Sequence, residues 1–89
     1  MSFEWDPAKA EANLAKHGVE FGDVFAVFED DLAMTMVESG YGEERFVAIG
    51  MDGLGRVVVV SYTWRGERVR IISARVASPS ERRVYATGR

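Results

Sequence analysis

The 89-residue chain has no cysteine, a single histidine, two prolines and only two lysines. Without cysteine, neither a disulfide framework nor a thiolate zinc site can form. With His17 as the sole imidazole, a metal site built from several histidines is excluded as well. The expectation is a protein that works without metal or other cofactor. No apolar run approaches the ~20 residues that span a bilayer. The opening stretch "MSFEWDPAKAEANLAKHG" has no apolar core of the kind a secretory leader needs. These absences point to a cytoplasmic protein with no membrane partner. The length suits a single domain over residues 1–89, with no room for a second core.

What is present is an uneven distribution of charge. Residues 1–44 hold eleven acidic side chains against Lys9 and Lys16, a net of −9. Residues 45–89 hold nine arginines against Asp52, Glu67 and Glu81, a net of +6. Five of the arginines (Arg70, Arg75, Arg82, Arg83 and Arg89) fall in the last twenty positions. Such asymmetry marks either an interaction surface or two halves that attract one another across the fold. The second half uses arginine alone, and its planar fork suits phosphate and carboxylate. Acids of the first half are the expected internal partners of this arginine site when no ligand is bound.

The elements can be read in order. "FEW" reads as a short strand. The segment "DPAKAEANLAKHG" has helix punctuation at both ends, with Asp6 as cap, Pro7 in the first turn and Gly18 as stop. Ala10, Leu14 and His17 fall on one stripe of this helix; Lys9, Asn13 and Lys16 fall on another. In "FGDVFAVFEDD", Phe21, Val24, Phe25 and Phe28 recur at i, i+3, i+4 and i+7, which predicts a second helix with a buried face. From Leu32 the pattern alternates. "LAMTMVE" and "RFVAIGM" read as strands, and "DGLG" as a turn. "RVVVVSYTW" reads as a central strand covered on both faces. "RGE" is a tight turn into the strand "RVRIISAR". "SPSERRVYATGR" opens with Ser78, Pro79 and Glu81 in a capping box and forms a short helix. The expected fold is α+β: a small antiparallel sheet with two N-terminal helices, a short C-terminal helix, and helices mainly on one face.

Several side chains suit chemistry on phosphate. Arg75 ends a strand just before a helix N-terminus, where a guanidinium and free amides together attract an anion. Arg82, Tyr85 and Arg89 share one stripe of the last helix, with Arg83 about 100° round, so an aromatic interleaves with arginine as at RNA-binding surfaces. Glu81 serves equally as cap or as proton-transfer group, and Tyr85 as core anchor or functional hydroxyl. Histidine is the usual proton shuttle near neutral pH, which makes His17 a candidate. Lys16, Arg45, Arg68 and Arg70 are candidates for substrate contacts. By simple alternation Arg68 and Arg70 share a strand face with Ile72, while Arg75 belongs to the other face.

Two blocks, "FEWDPAKAEANLAKHGVEF" and "RIISARVASPSERRVYA", resemble the BrnT family of bacterial toxins. "VFEDDLA" and "EERFVAIGMDGLGRVVVVSYTWRGERVRIISAR" fit the same pattern, so the likeness runs over almost the whole chain. One departure is that "ATGR" follows Tyr85 where the family commonly has an acidic residue. The resemblance implies a RelE-like fold and a ribonuclease that blocks translation. It also implies a cognate BrnA-like antitoxin, which neutralises the toxin and carries it to operator DNA. Lys16, His17, Arg45, Arg75, Glu81, Arg82, Arg83 and Tyr85 are the polar positions matching the family motifs.

Together these readings lead us to expect a metal-independent endoribonuclease. Arg75 with Arg82 or Arg83 would stabilise charge at phosphorus, and proton transfer would fall to His17, Glu81 or Tyr85. The competing expectation is a non-catalytic module that docks a protein or nucleic acid through its arginine-rich half. A dimer joined at the Met34/Met36 strand is compatible with either.

Overall fold

The computed structural model describes residues 1–40 and 42–88, so the expected stripe position of Arg89 lies outside the described residues. Strand β1 (Ser2–Glu4) leads into helix α1 (Pro7–His17) and a 3₁₀ helix (Phe21–Glu29). Strands β2 (Met34–Glu38), β3 (Arg45–Met51), β4 (Val57–Arg65) and β5 (Arg68–Val76) follow, and helix α2 (Pro79–Thr87) closes the order.

The expected helix signals operate. The Asp6 side chain accepts from Ala8 N–H at 2.9 Å with Pro7 behind it. Gly18 ends α1 in the left-handed region (φ 68°), its N–H returning to Leu14 O. At α2 both arms of the Ser78/Glu81 capping box are made. The second helical segment differs from expectation in type. Its buried residues are Phe21, Val24 and Val27, a period of three that matches a 3₁₀ helix rather than an α-helix. Phe25 and Phe28 turn to an adjacent stripe and meet Phe3 of β1. Gly50 lets this helix approach β3: a Cβ there would stand 2.9 Å from Val27 Cγ1 and 3.0 Å from Ala33 Cβ.

The five strands form one sheet in the order β1-β5-β4-β3-β2. It is mixed, not antiparallel throughout, because β1 joins β5 in parallel through Ser2↔Arg68, Phe3↔Val69 and Glu4↔Arg70. The chain starts at one edge, crosses a face as α1 and the 3₁₀ helix, and returns through hairpins from the other edge. That route brings the first strand beside the last.

The central valine run is covered on both sides, as its composition predicts. Val58 and Val60 enter the main core with Phe21, Val24, Val27, Val69 and Ile71. Val59 and Val57 face the opposite way, into a second cluster with Ile49, Ala77 and Tyr85. Hence α2 lies across the sheet from α1 and the 3₁₀ helix, so the helices are divided between the faces.

Helix α1 is rotated relative to its expected stripe. Leu14 is 44% exposed, whereas Asn13 is 7% exposed. The reason lies in β5, whose outer edge is covered by β1 only along residues 68–70. Beyond that, the Asn13 carboxamide takes a strand's place. Its Nδ2 donates to Ala74 O at 2.8 Å and to Val19 O at 3.0 Å, and its Oδ1 accepts from Ala74 N–H at 3.1 Å. Buried backbone groups need such partners, and asparagine supplies both polarities.

Candidate active site

The strand register decides which side chains meet on the face opposite the main core. Between β4 and β5, Ser61 pairs with Ser73 while Tyr62 pairs with Ile71, so Ile72 is an extra residue on β5. This bulge resets the alternation. Arg70 stands opposite Thr63, Ser73 opposite Ser61, and Arg75 opposite Val59, which are alternate positions of one β4 face. Arg70 and Arg75 therefore share a face, contrary to unbroken alternation.

Helix α2 covers one end of that face. The uncovered part opens as a cavity of about 370 Å³, with Val47 and Val59 at its base. His17, Glu38, Ser61, Ser73 and Arg75 supply its polar wall. His17 arrives from the last turn of α1, the turn that Asn13 ties to the edge of β5. Glu38 comes from the end of β2, across from Arg45 in the sheet.

Arg75 is engaged in a two-pronged pair with Glu81, Nη1 to Oε1 at 2.7 Å and Nη2 to Oε2 at 2.8 Å. Glu81 Oε1 also accepts from Ser78 N–H at 2.8 Å. The Arg75 fork, then the Ser78 amide, hold the Glu81 carboxyl far below the usual range, at about 2. The same hydrogen bonds raise Arg75 further above its already high value. The internal partner of Arg75 thus comes from its own half of the chain, not from the acidic first half. The first half does supply Glu4, 2.7 Å from Arg70 and 3.9 Å from Arg68.

A consequence for stability follows from Glu81. A carboxyl depressed on folding stabilises the native state above its ordinary value of 4.5, and that contribution is lost as pH falls from there toward 2. The Arg75 side chain is 46% exposed, so solvent screening limits the effect to about 1 kcal/mol. Urea unfolding of wild type and Glu81→Gln at pH 7 and pH 2 should find the gap between them closing at acid pH. An unchanged gap would remove the pair as its source.

The other sequence candidates are not among the residues that line the cavity. Arg82 Nη1 donates to Ala77 O at 3.0 Å. Arg83 is exposed on the outer side of α2. Tyr85 donates to Asp30 Oδ2 at 2.7 Å and packs on the second cluster. Burial pushes the Asp30 carboxyl up, but bonds from Met51 N–H, Tyr85 and Leu32 N–H outweigh it and hold the group low. Lys16 is exposed beside His17, and Arg45 is half-buried on β3. The structure thus gathers His17 and Arg75 at the cavity, with Glu81 behind Arg75. It adds Glu38, Ser61 and Ser73, which sequence reasoning did not single out, while Asn13 stands behind the cavity, tying α1 to β5. Ser61 breaks off the valine run of β4 and Ser73 follows Ile71 and Ile72 in β5, and those breaks were their signal.

Residues 5–81 match the family described as "Ribonuclease toxin, BrnT, of type II toxin-antitoxin system". The chain belongs to the BrnT toxin family. The matched segment contains every cavity residue and ends at Glu81, before Arg82, Arg83 and Tyr85. Among solved structures, the chain is similar to the crystal structure of the Brucella abortus ribonuclease toxin BrnT. The identity is 32% and the TM-score 0.69, over 88% of this chain and 97% of that one. No curated protein sequence matches. Membership in the BrnT family implies ribonuclease activity, an RNA target and an antitoxin partner. No helix among the described residues is long and apolar enough to cross a membrane.

Proposed function

We propose that the chain, acting as one domain over residues 1–89, is a cytoplasmic endoribonuclease toxin that cuts RNA without a metal and so blocks translation. A BrnA-like antitoxin neutralises it, and contact with operator DNA runs through that complex. A RelE-like relationship of the fold belongs to the same proposal. The observation that carries the reading is the cavity where His17 and Arg75 converge on paired serines. The composition is what supports metal-free chemistry: with no cysteine and one histidine, the chain has no thiolate or multi-histidine site to offer a metal.

In this reading the ribose 2′-oxygen attacks the adjacent phosphorus and the bond to the 5′-oxygen breaks. Arg75 faces the charge that builds on the phosphoryl oxygens, where a fixed donor is worth most. Ser61 and Ser73 offer hydroxyl donors beside it. His17 moves a proton at the rim, and Glu81 holds the Arg75 fork in position. Lys16, Arg45, Arg68 and Arg70, with Arg82 and Arg83 further out, contact the RNA backbone on either side.

The test is to incubate purified protein with RNA in excess chelator and map the ends produced. The expected products carry 2′,3′-cyclic phosphate and 5′-hydroxyl. Ends bearing 5′-phosphate and 3′-hydroxyl would exclude attack by the 2′-oxygen. A folded protein that neither cuts RNA nor stops growth would favour the binding-module reading.

A further inference from the structure

We infer that Glu38 is the general base of the cleavage reaction and His17 its acid, which rests on the ribonuclease reading above. Attack by the 2′-hydroxyl needs a group to take its proton, and departure of the 5′-oxygen needs one to supply a proton. Two of the proton-transfer candidates read from the sequence are committed elsewhere. Both oxygens of Glu81 hold Arg75, and one also caps α2. The Tyr85 hydroxyl donates to Asp30 and does not line the cavity.

Glu38 lines the same cavity as His17 and Arg75. It takes part in none of the ion pairs found among the described residues. Among the described residues, Arg75 from β5 and His17 from α1 line the cavity with it, and Arg45 stands across the sheet. A carboxylate without an ion pair at a site that receives a polyanion is repulsive unless it has a task there. Removing a proton is a task that requires an uncommitted carboxylate.

In-line cleavage needs the base and the acid on opposite sides of the scissile phosphate. A base and an acid each within ~2.6–3.2 Å of its oxygen, on opposite sides of one phosphorus, stand roughly 6–9 Å apart. Glu38 reaches the cavity from β2 and His17 from α1, two separate elements. In the step itself, Glu38 accepts the 2′-hydroxyl proton as the 2′-oxygen bonds to phosphorus. The bond to the 5′-oxygen breaks, and protonated His17 gives that oxygen its proton. The protein is left with Glu38 protonated and His17 neutral, and exchange with water restores both.

The experiment uses a short oligoribonucleotide and its analogue with sulfur as the bridging 5′ atom, a leaving group that needs no acid. Glu38→Gln should lower kcat by about 10²–10⁴-fold on both substrates with little change in KM. His17→Ala should lose as much on the oxygen substrate and recover on the sulfur one. Formate should partly restore Glu38→Ala, which guards against a folding artefact. Glu38→Gln at wild-type rate, or changed only in KM, or rescued by sulfur, would overturn the assignment. Wild type that cuts neither substrate would overturn the ribonuclease reading, and the assignment with it.

Discussion

Arg75→Ala is expected to abolish growth arrest on induced expression and to slow RNA cleavage by about 10²–10³-fold, the cost of one lost charge-stabilising donor. Two effects act in the same direction. The guanidinium that faces the phosphoryl oxygens is gone, and the Glu81 carboxylate is left without its partner beside an incoming anion. The fold should survive, because the Arg75 side chain is 46% exposed and Ser78 N–H still binds Glu81. Thermal unfolding within a few degrees of wild type would establish this. Arg75→Lys should recover only part of the activity, since one ammonium cannot reproduce a two-pronged pair. Growth arrest by Arg75→Ala at wild-type strength would remove Arg75 from the chemistry.

The pair with Glu81 adds a second reading of the same experiment. If Glu81 acts only by orienting Arg75, then Glu81→Gln lowers kcat in the wild-type background and has no further effect once Arg75 is alanine. That non-additivity is the signature of two residues working as a unit. A full additional loss in the double variant would give Glu81 a role of its own.

Local signals were legible in the sequence because they depend on neighbours in the chain. Asp6, Pro7 and Gly18 bracket α1, and Ser78 and Glu81 start α2, since caps act over three or four residues. The valine run announced a central strand, because apolar residues on both sides of a strand need cover on both faces. What failed depends on distant contacts. The three-residue period of Phe21, Val24 and Val27 is hidden by Phe25 and Phe28, which make an α-helical stripe equally good on paper. The parallel pairing of β1 cannot be inferred from a three-residue strand. The bulge at Ile72 leaves no mark in "RIISAR", yet it is what puts Arg75 on the face of Arg70. Arg75 and His17 were legible as candidates by residue type and position, but their meeting was not. Glu38 was passed over because a glutamate at a strand end looks like solvent-facing charge until the cavity is seen.

Asn13 was misread for the same reason, and its replacement should have the largest effect on stability. On a helical wheel it belongs with Lys9 and Lys16, whereas in the fold it is the edge partner of β5. Asn13→Ala would strip Ala74 N–H, Ala74 O and Val19 O of their partners, in residues 1% and 0% exposed. A buried backbone group left unsatisfied costs about 1–3 kcal/mol. Partial entry of water at the helix end brings the sum to about 3 kcal/mol. For a domain of this size the melting temperature should fall by roughly 10–20 °C. Asn13→Asp should be no better, because it keeps the bond from Ala74 N–H but turns a carboxylate toward two carbonyl oxygens. The contrast with His17 tests the link from packing to function. His17→Ala should melt close to wild type and cut RNA poorly, since His17 serves the cavity and not the core. Asn13→Ala should lose both stability and, below its melting point, much of its activity, because the turn that presents His17 to Arg75 is no longer fastened. An Asn13→Ala protein that melts within about 3 °C of wild type would mean that the β5 edge finds other partners, and that the position of His17 is fixed by something else.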